Sequence, residues 1–465
     1  MASDLREMLG RRLYLTVFLA TALVYLLTSH IASGQISDTQ AVIAPAYNFV
    51  HHGTFFLDHA RGLPANNEWF WHVNGHLVSA RMMGPVLAGV PLCALLAWTP
   101  LSPGALNALN AALLTALAMT FLLAALRRMV PDRLALTGYA VVAFGTSVWT
   151  VAAAETWPQT VDVLFLALML LALSRRRVGW AGIALAPALL SRPHLAVVAL
   201  VMGVGLAATR RSWRPLLGFG IPAVGAFGLL YVWNHAIYGR WQLLGTYSDK
   251  LTSVPAGSGG GRSYLANVAG ALVTPTQGLL VLSPLLALAL VWLLRHPGSA
   301  PAWSRLAMLA GLLYEAIQLR LDVYTGGGGF FGSRLTLELV LLAAPMAVTT
   351  YHPWATGHPG RRYVTSLAAA WSVAIFATGA LLKDYLIGGD SSLDWTSYYP
   401  ARVIGFAGRT GAMVTMLLTL ALLAFAGFRY RTLFVTRSPL PAGELPAPRS
   451  AADDVTPVGT EMSRA

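Results

Sequence analysis

Apolar stretches of bilayer length recur along the chain, each closed by a short segment carrying arginine, glycine or proline. A hydrocarbon core about 30 Å thick needs roughly 20 apolar residues per helix. The pattern predicts an all-α, polytopic transmembrane helix bundle of about twelve spans. They lie near residues 13–33, 104–126, 134–153, 158–174, 178–190, 194–208, 215–237, 279–294, 304–321, 335–350, 363–382 and 410–428. The first run follows Arg11 and Arg12, and Ile31-Ala32-Ser33 loosely resembles a signal-cleavage site. The run is long for a signal peptide, so it reads as a retained anchor.

Arginine turns orient the spans, because short cytoplasmic loops carry the excess of basic residues. Arg11-Arg12, Arg127-Arg128, Arg175-Arg176-Arg177, Arg210-Arg211, Arg295 with Arg305, Arg361-Arg362 and the tail from Arg429 are assigned inside, which places both termini in the cytoplasm. Outside lie a first loop (34–84), a turn around Glu155, a loop from Tyr238 to Thr276, the run Gly326 to Gly329, and a loop from Lys383 to Arg409. Pro85 to Trp98 is apolar but short, and reads as a re-entrant or interfacial helix. The pair 178–190 and 194–208 is a hairpin or one long kinked helix; arginines at both outer ends favour the hairpin. Residues 1–436 form the membrane domain, and 437–465, rich in Pro, Ala and Ser, a disordered cytoplasmic tail.

Composition agrees, with 56% hydrophobic and 11% charged residues against about 25% charged in soluble domains. The net charge of +13 sits in clusters between apolar runs, without the basic stripe and aromatic platform of a nucleic-acid binder, so no nucleic acid is expected. One cysteine, Cys93, excludes an intramolecular disulfide. His72 and His76 stand four apart, but Gly75 argues against a helix presenting both, and no ligand pattern completes a metal set among the histidines.

Candidate chemistry gathers in the outer segments. Asp38 follows the first span directly, in Ser37-Asp38-Thr39-Gln40, ahead of an amphipathic stretch from Ala41 to Val50 and the segment Gly53-Thr54-Phe55-Phe56-Leu57-Asp58. Spacing alone makes it a helix cap. Arg81, Arg192 and Arg334 stand at outer span ends, where an arginine either snorkels to headgroups or holds an anion; Arg334 follows the glycine run, which lets backbone approach a ligand closely. Glu155 caps a helix or orients a substrate. Asp162, Glu315 and Glu338 lie inside predicted spans, where a carboxylate faces the bundle or a wet cavity.

The order of these pieces resembles the GT-C superfamily of membrane glycosyltransferases, including the dolichyl-phosphate-mannose protein mannosyltransferase type and its bacterial lipid-linked-sugar relatives. The likeness runs thinly over residues 12–350, through Asp38, the segment Gly75 to Pro85, Ser191-Arg192-Pro193, the segment Thr274 to Pro284, and Gly327 to Arg334. It implies a GT-C-like bundle with extracytoplasmic loops and interfacial helices in the plasma or inner membrane. The implied function is transfer of a sugar, such as mannose or arabinose, from a polyprenyl-phosphate donor to a glycan, lipid or protein acceptor, with inversion and Asp38 as general base. Arg192, Arg334 and Arg81 would hold the donor phosphate, and Glu155, His76, Asp162 and Glu338 the acceptor. A second acid often follows the Asp in that superfamily; here it is Thr39, which weakens a metal site. No cofactor is fixed by the likeness, and a divalent cation is left open. The rival reading is a membrane transporter or lipid flippase, which inverted repeats and discontinuous mid-membrane helices would favour; the sequence has no clear internal repeat.

Overall fold

The computed structural model describes residues 2–29, 37–60, 63, 69–243, 263–275, 277–326, 329–356 and 358–381. The segment expected to span at 410–428, the loop from Lys383 to Arg409 and the tail at 437–465 lie outside them, as do Gly327 and Gly328. Helices dominate: α1 (Ala2–Leu27), α2 (Ser37–His52), α3 (Met83–Leu95), α4 (Pro103–Leu126), α5 (Asp132–Phe144), α6 (Pro158–Ser174), α7 (Val178–Ser191), α8 (Ala196–Arg210), α9 (Arg214–Tyr238), α10 (Tyr264–Val273), α11 (Leu279–Leu282), α12 (Pro284–Arg295), α13 (Ala302–Leu321), α14 (Leu337–Thr356) and α15 (Pro359–Leu381).

Four of the described helical stretches are long and apolar enough to cross a membrane: Pro103–Leu126, Pro193–Arg210, Arg214–Tyr238 and Gly360–Leu381. Several others are shorter than the apolar runs suggested. The run 134–153 breaks at Gly145 into α5 and a five-residue π-helical turn, Val148–Ala152. The run 279–294 breaks at Ser283-Pro284 into α11 and α12, because proline removes a helical donor and clashes with the preceding turn.

The all-α expectation is corrected in one place. Phe70–Val73 (β1) and His76–Ser79 (β2) form an antiparallel hairpin in register Val73 with His76. Asn74 and Gly75 both carry positive φ, 51° and 84°, as a two-residue hairpin turn of the Asn-Gly kind demands. The helix α10, inside the expected loop from Tyr238 to Thr276, is likewise an addition.

The core runs between α4, α5, α6, α7, α8, α13 and α14, and includes Met119, Leu122, Leu170, Leu185, Met202, Ala310 and Leu341, all nearly or fully buried. Caps set the helix starts. Ser102 Oγ accepts from the Ala105 amide at 3.2 Å and Pro103 occupies the first turn, the favoured pair of signals at a helix N-terminus. Cys93 is buried in a small cluster with Ile43, Ala46 and Leu106 that joins α2, α3 and α4.

The ambiguous segment 178–208 folds back on itself. Gly182 in α7 lies against Gly218 in α9, and Gly203 in α8 against Leu216 and Phe219 of the same turn. A continuous helix would hold positions 182 and 203 about 30 Å apart, so both reach one end of α9 only as a hairpin. A Cβ at Gly182 would collide with the Gly218 carbonyl, whereas one at Gly220 would meet nothing within 4 Å. Gly182→Ala is therefore expected to cost about 1–3 kcal/mol of stability through overpacking, and Gly220→Ala almost nothing. Thermal unfolding of both variants in detergent checks this, and equal melting temperatures would refute the contact.

Candidate functional site

The site is built where α2, the β-hairpin and the loop before α14 meet. Asp38 sits in the first turn of α2 and is buried. Its Oδ1 ion-pairs with the Arg81 guanidinium and its Oδ2 accepts from Arg334 Nη1 at 3.1 Å. Arg81 also donates through Nε to the Asp38 carbonyl at 3.3 Å. Two arginines 253 positions apart in sequence (Arg81 and Arg334) thus close on one carboxylate.

Each arginine is held from behind. Arg81 follows β2, whose Ser79 Oγ donates to the Ala41 carbonyl at 2.5 Å and accepts from the Arg81 amide at 3.2 Å. The Tyr238 hydroxyl, at the end of α9, lies 2.7 Å from the Ser79 carbonyl and 3.2 Å from that of Arg81. The Arg81 guanidinium lies over the Trp69 ring, 3.8 Å from its centroid. Arg334 lies 4.6 Å from the Trp157 centroid and 5.3 Å from that of Phe330. A guanidinium stacked on an aromatic face keeps its in-plane N–H groups available for hydrogen bonding.

The glycine run shapes the second strap. Gly329 and Gly332 carry φ of 87° and 91°, the region that favours glycine. A Cβ at Gly332 would press on Ser147 Oγ at 2.7 Å, and the Phe331 carbonyl accepts from Thr150 Oγ1 at 2.6 Å. The π-helical turn between α5 and α6 thereby docks the segment that carries Arg334.

Glu155 is brought to the same place. Thr39 Oγ1 donates to Glu155 Oε2, so the residue after Asp38 reaches a carboxylate from the turn before α6. Asn107 fixes that turn by accepting from the Thr156 amide at 3.1 Å, and its carbonyl accepts from Thr156 Oγ1 at 3.0 Å.

Arg192, Asp162 and Glu338 form a second, separate group. Arg192 lies 3.7 Å from both Asp162 and Glu338. Its Nη1 donates to Tyr314 Oη at 2.9 Å and Gln318 Oε1 at 3.0 Å. Tyr314 donates onward to Glu338 at 3.2 Å and stacks on His194 with centroids 5.0 Å apart. Arg192 therefore faces protein carboxylates between α6, α7, α13 and α14, not Asp38. Glu315 is buried beside Tyr314, with neither carboxylate oxygen hydrogen-bonded.

His76 is exposed at the far end of β2, stacked on Phe56 and 2.7 Å from Asp58. The hydrogen bond with His76, then that from the Leu77 amide (2.8 Å), hold the Asp58 carboxyl below its ordinary value of 3.8. A depressed carboxylate contributes stability above its unfolded value and loses it as pH falls through the folded one. Protection of the Leu77 amide, its exchange measured against an unstructured amide at the same pH, should accordingly hold from neutral pH down to about 3.8 and fall below it. Loss of protection already near pH 6 would show that Asp58 does not hold the hairpin.

A divalent cation takes several oxygen ligands. Among the described residues no group of three or more His, Cys, Asp or Glu side chains could hold a metal ion, and the Asp38 carboxylate faces two guanidiniums. The donor set does not fit a divalent cation. Trp69, Trp157, Tyr238 and the Thr39–Glu155 link were not singled out by sequence reasoning; the only cue was tryptophan near the outer acids and arginines, in Glu68-Trp69 and Glu155-Thr156-Trp157.

No family model matches the chain, and no curated protein matches it. Among solved structures it is similar to the crystal structure of the oligosaccharyltransferase of Archaeoglobus fulgidus in the apo form, at 14% identity and a TM-score of 0.41. That match covers 89% of this chain and 56% of the other, so the chain spans a little over half the neighbour's length. The geometry of the residues, and not this likeness, carries the functional reading.

Proposed function

We propose that the protein is an integral membrane glycosyltransferase that moves a sugar from a polyprenyl-phosphate donor to an extracytoplasmic acceptor, with inversion. The observation that carries this reading is the meeting of Asp38, Arg81 and Arg334 at one buried point. A sugar transfer from a lipid phosphate needs a base for the acceptor hydroxyl and cations for the leaving phosphate, and this point holds both.

In the reaction, the acceptor oxygen bonds to the anomeric carbon as its proton passes to Asp38. The bond from that carbon to the phosphate oxygen breaks, and its electron pair leaves with the polyprenyl phosphate. Arg81 and Arg334 receive the charge that develops there through charge-assisted hydrogen bonds. One base and no carboxylate nucleophile gives inversion, by analogy with glycoside hydrolysis. Glu155, bonded to the hydroxyl of Thr39, the residue after Asp38, orients the acceptor. The Arg192 group ties α7 and α8 to α13 and α14, and supports the strap carrying Arg334.

The test is reconstitution of the purified protein in liposomes with radiolabelled polyprenyl-phosphate mannose or arabinose and a membrane extract as acceptor. Label appearing in the acceptor and free polyprenyl phosphate appearing in equal amount support the reading. Movement of intact donor across the bilayer without transfer would favour a lipid flippase.

A further inference from the structure

The candidate base and the candidate phosphate-binding arginines are already engaged with each other. Each oxygen of Asp38 is taken by a guanidinium, Oδ1 by Arg81 and Oδ2 by Arg334. All three side chains are buried or nearly so, with Asp38 7% and Arg81 4% exposed. In a site screened from water such pairs are strong, and they occupy the groups that both half-reactions require. A donor phosphate that approaches the N–H groups facing Asp38 competes with its carboxylate for them.

The stacking described above bears on which partner gives way. Trp69 and Trp157 each carry one guanidinium on a ring face, and Tyr238 and Ser79 pin the backbone of Arg81. Among the described residues no ring or donor other than the two arginines engages the Asp38 carboxylate; it projects from the first turn of α2, and rotation about its χ torsions turns it away from them. The arginines are the fixed elements and the carboxylate is the exchangeable one.

Resting on the proposed lipid-phosphate donor, we infer that Asp38 is a resident counter-ion which a phosphate group displaces from Arg81 and Arg334, so that donor binding itself releases the base. Charge counting agrees. Arg81 and Arg334 against Asp38 and Glu155 sum to zero at rest. A phosphodiester adds one negative charge, which weighs against a second anion on the two guanidiniums. The proton that Asp38 then takes from the acceptor hydroxyl is balanced by the second negative charge that leaves on the polyprenyl phosphate, so the total stays at minus one. The acceptor is thereby deprotonated only when a donor is in place, and the protein avoids activating an acceptor or water with no sugar to transfer.

The two roles of Asp38 predict opposite signs for one substitution. Asp38→Asn removes the base, yet also removes the anion that competes with phosphate. Like charges brought together at a buried site repel, so the variant should bind a polyprenyl phosphate about tenfold tighter or more. The experiment titrates purified wild type and Asp38→Asn with a short-chain polyprenyl phosphate, the corresponding neutral polyprenol and inorganic phosphate, reading affinity by calorimetry. Tighter binding of the phosphate-bearing ligands, and not of the polyprenol, supports displacement; inorganic phosphate behaving like the lipid assigns the effect to the headgroup alone. Equal or weaker binding by Asp38→Asn overturns the inference while the glycosyltransferase reading stands. Failure of wild type and variant alike to bind any phosphate ligand sinks the donor class and the inference with it. Should Asp38→Asn not fold, carboxylate-selective labelling of wild-type Asp38, read by mass spectrometry, decides: polyprenyl phosphate should raise it severalfold, and unchanged or lower labelling overturns displacement.

Discussion

Asp38→Asn is expected to lose sugar transfer by about 10²–10⁴-fold while the protein keeps its fold, the effect of removing a positioned base. Asparagine is isosteric and can still accept from Arg81 and Arg334 through its single carbonyl oxygen, so α2 and the two straps stay together. What the substitution takes away is the carboxylate proposed to receive the acceptor proton. The assay compares initial rates at equal amounts of folded protein, judged by thermal unfolding in detergent. Retention of more than about one tenth of the wild-type rate would remove Asp38 from the proton transfer, since even a modest general base contributes more. Asp38→Glu makes a useful companion, because it keeps the charge but moves the carboxylate along by one methylene; an intermediate rate is expected.

Replacement of Arg192 has the second-largest expected effect, and it falls on stability. Arg192→Met leaves Asp162 and Glu338, both fully buried, without their shared cation. Breaking a buried ion pair by removing one partner costs about 3–5 kcal/mol. The triple change Arg192→Met, Asp162→Asn and Glu338→Gln should recover most of that loss, because it removes the uncompensated charges together. Unfolding temperatures of the single and triple variants check this. A single variant as stable as wild type would mean that Arg192 is not the counter-ion of these two acids. Rescue of stability without rescue of transfer would separate a structural from a substrate-binding role for the group.

Hydrophobic run length located nearly every described helix, because burial in the bundle or the bilayer demands apolar residues over whole turns. The ends were less legible. Gly145 and Ser283-Pro284 break runs that composition reads as continuous, since a count of apolar residues does not register the loss of a helical hydrogen bond. The hairpin at 70–79 escaped the helical reading although Asn74-Gly75 is a strong turn signal; its strands are only four residues each, too short for alternation to stand out.

The site was legible in its parts and not in its pairings. Asp38, Arg81 and Arg334 were each visible as charges at span ends, but a local sequence window does not reveal that the loop before α14 returns to the start of α2. Arg192 looked equivalent to them for the same reason, and only the packing of α6, α13 and α14 assigns it to Asp162 and Glu338. The Thr39–Glu155 link shows the same limit. The residue after Asp38 meets in space a carboxylate more than a hundred positions away.

The solitary thiol of Cys93 has a practical consequence. It is 1% exposed, wedged among Ile43, Ala46 and Leu106, so membrane-impermeant maleimides should leave the native chain untouched. The protein is thus its own blank background for reporter cysteines. One introduced at the Asn74 turn and another at Ser174 would read, by which side of a sealed vesicle they label, how the bundle is threaded through the bilayer.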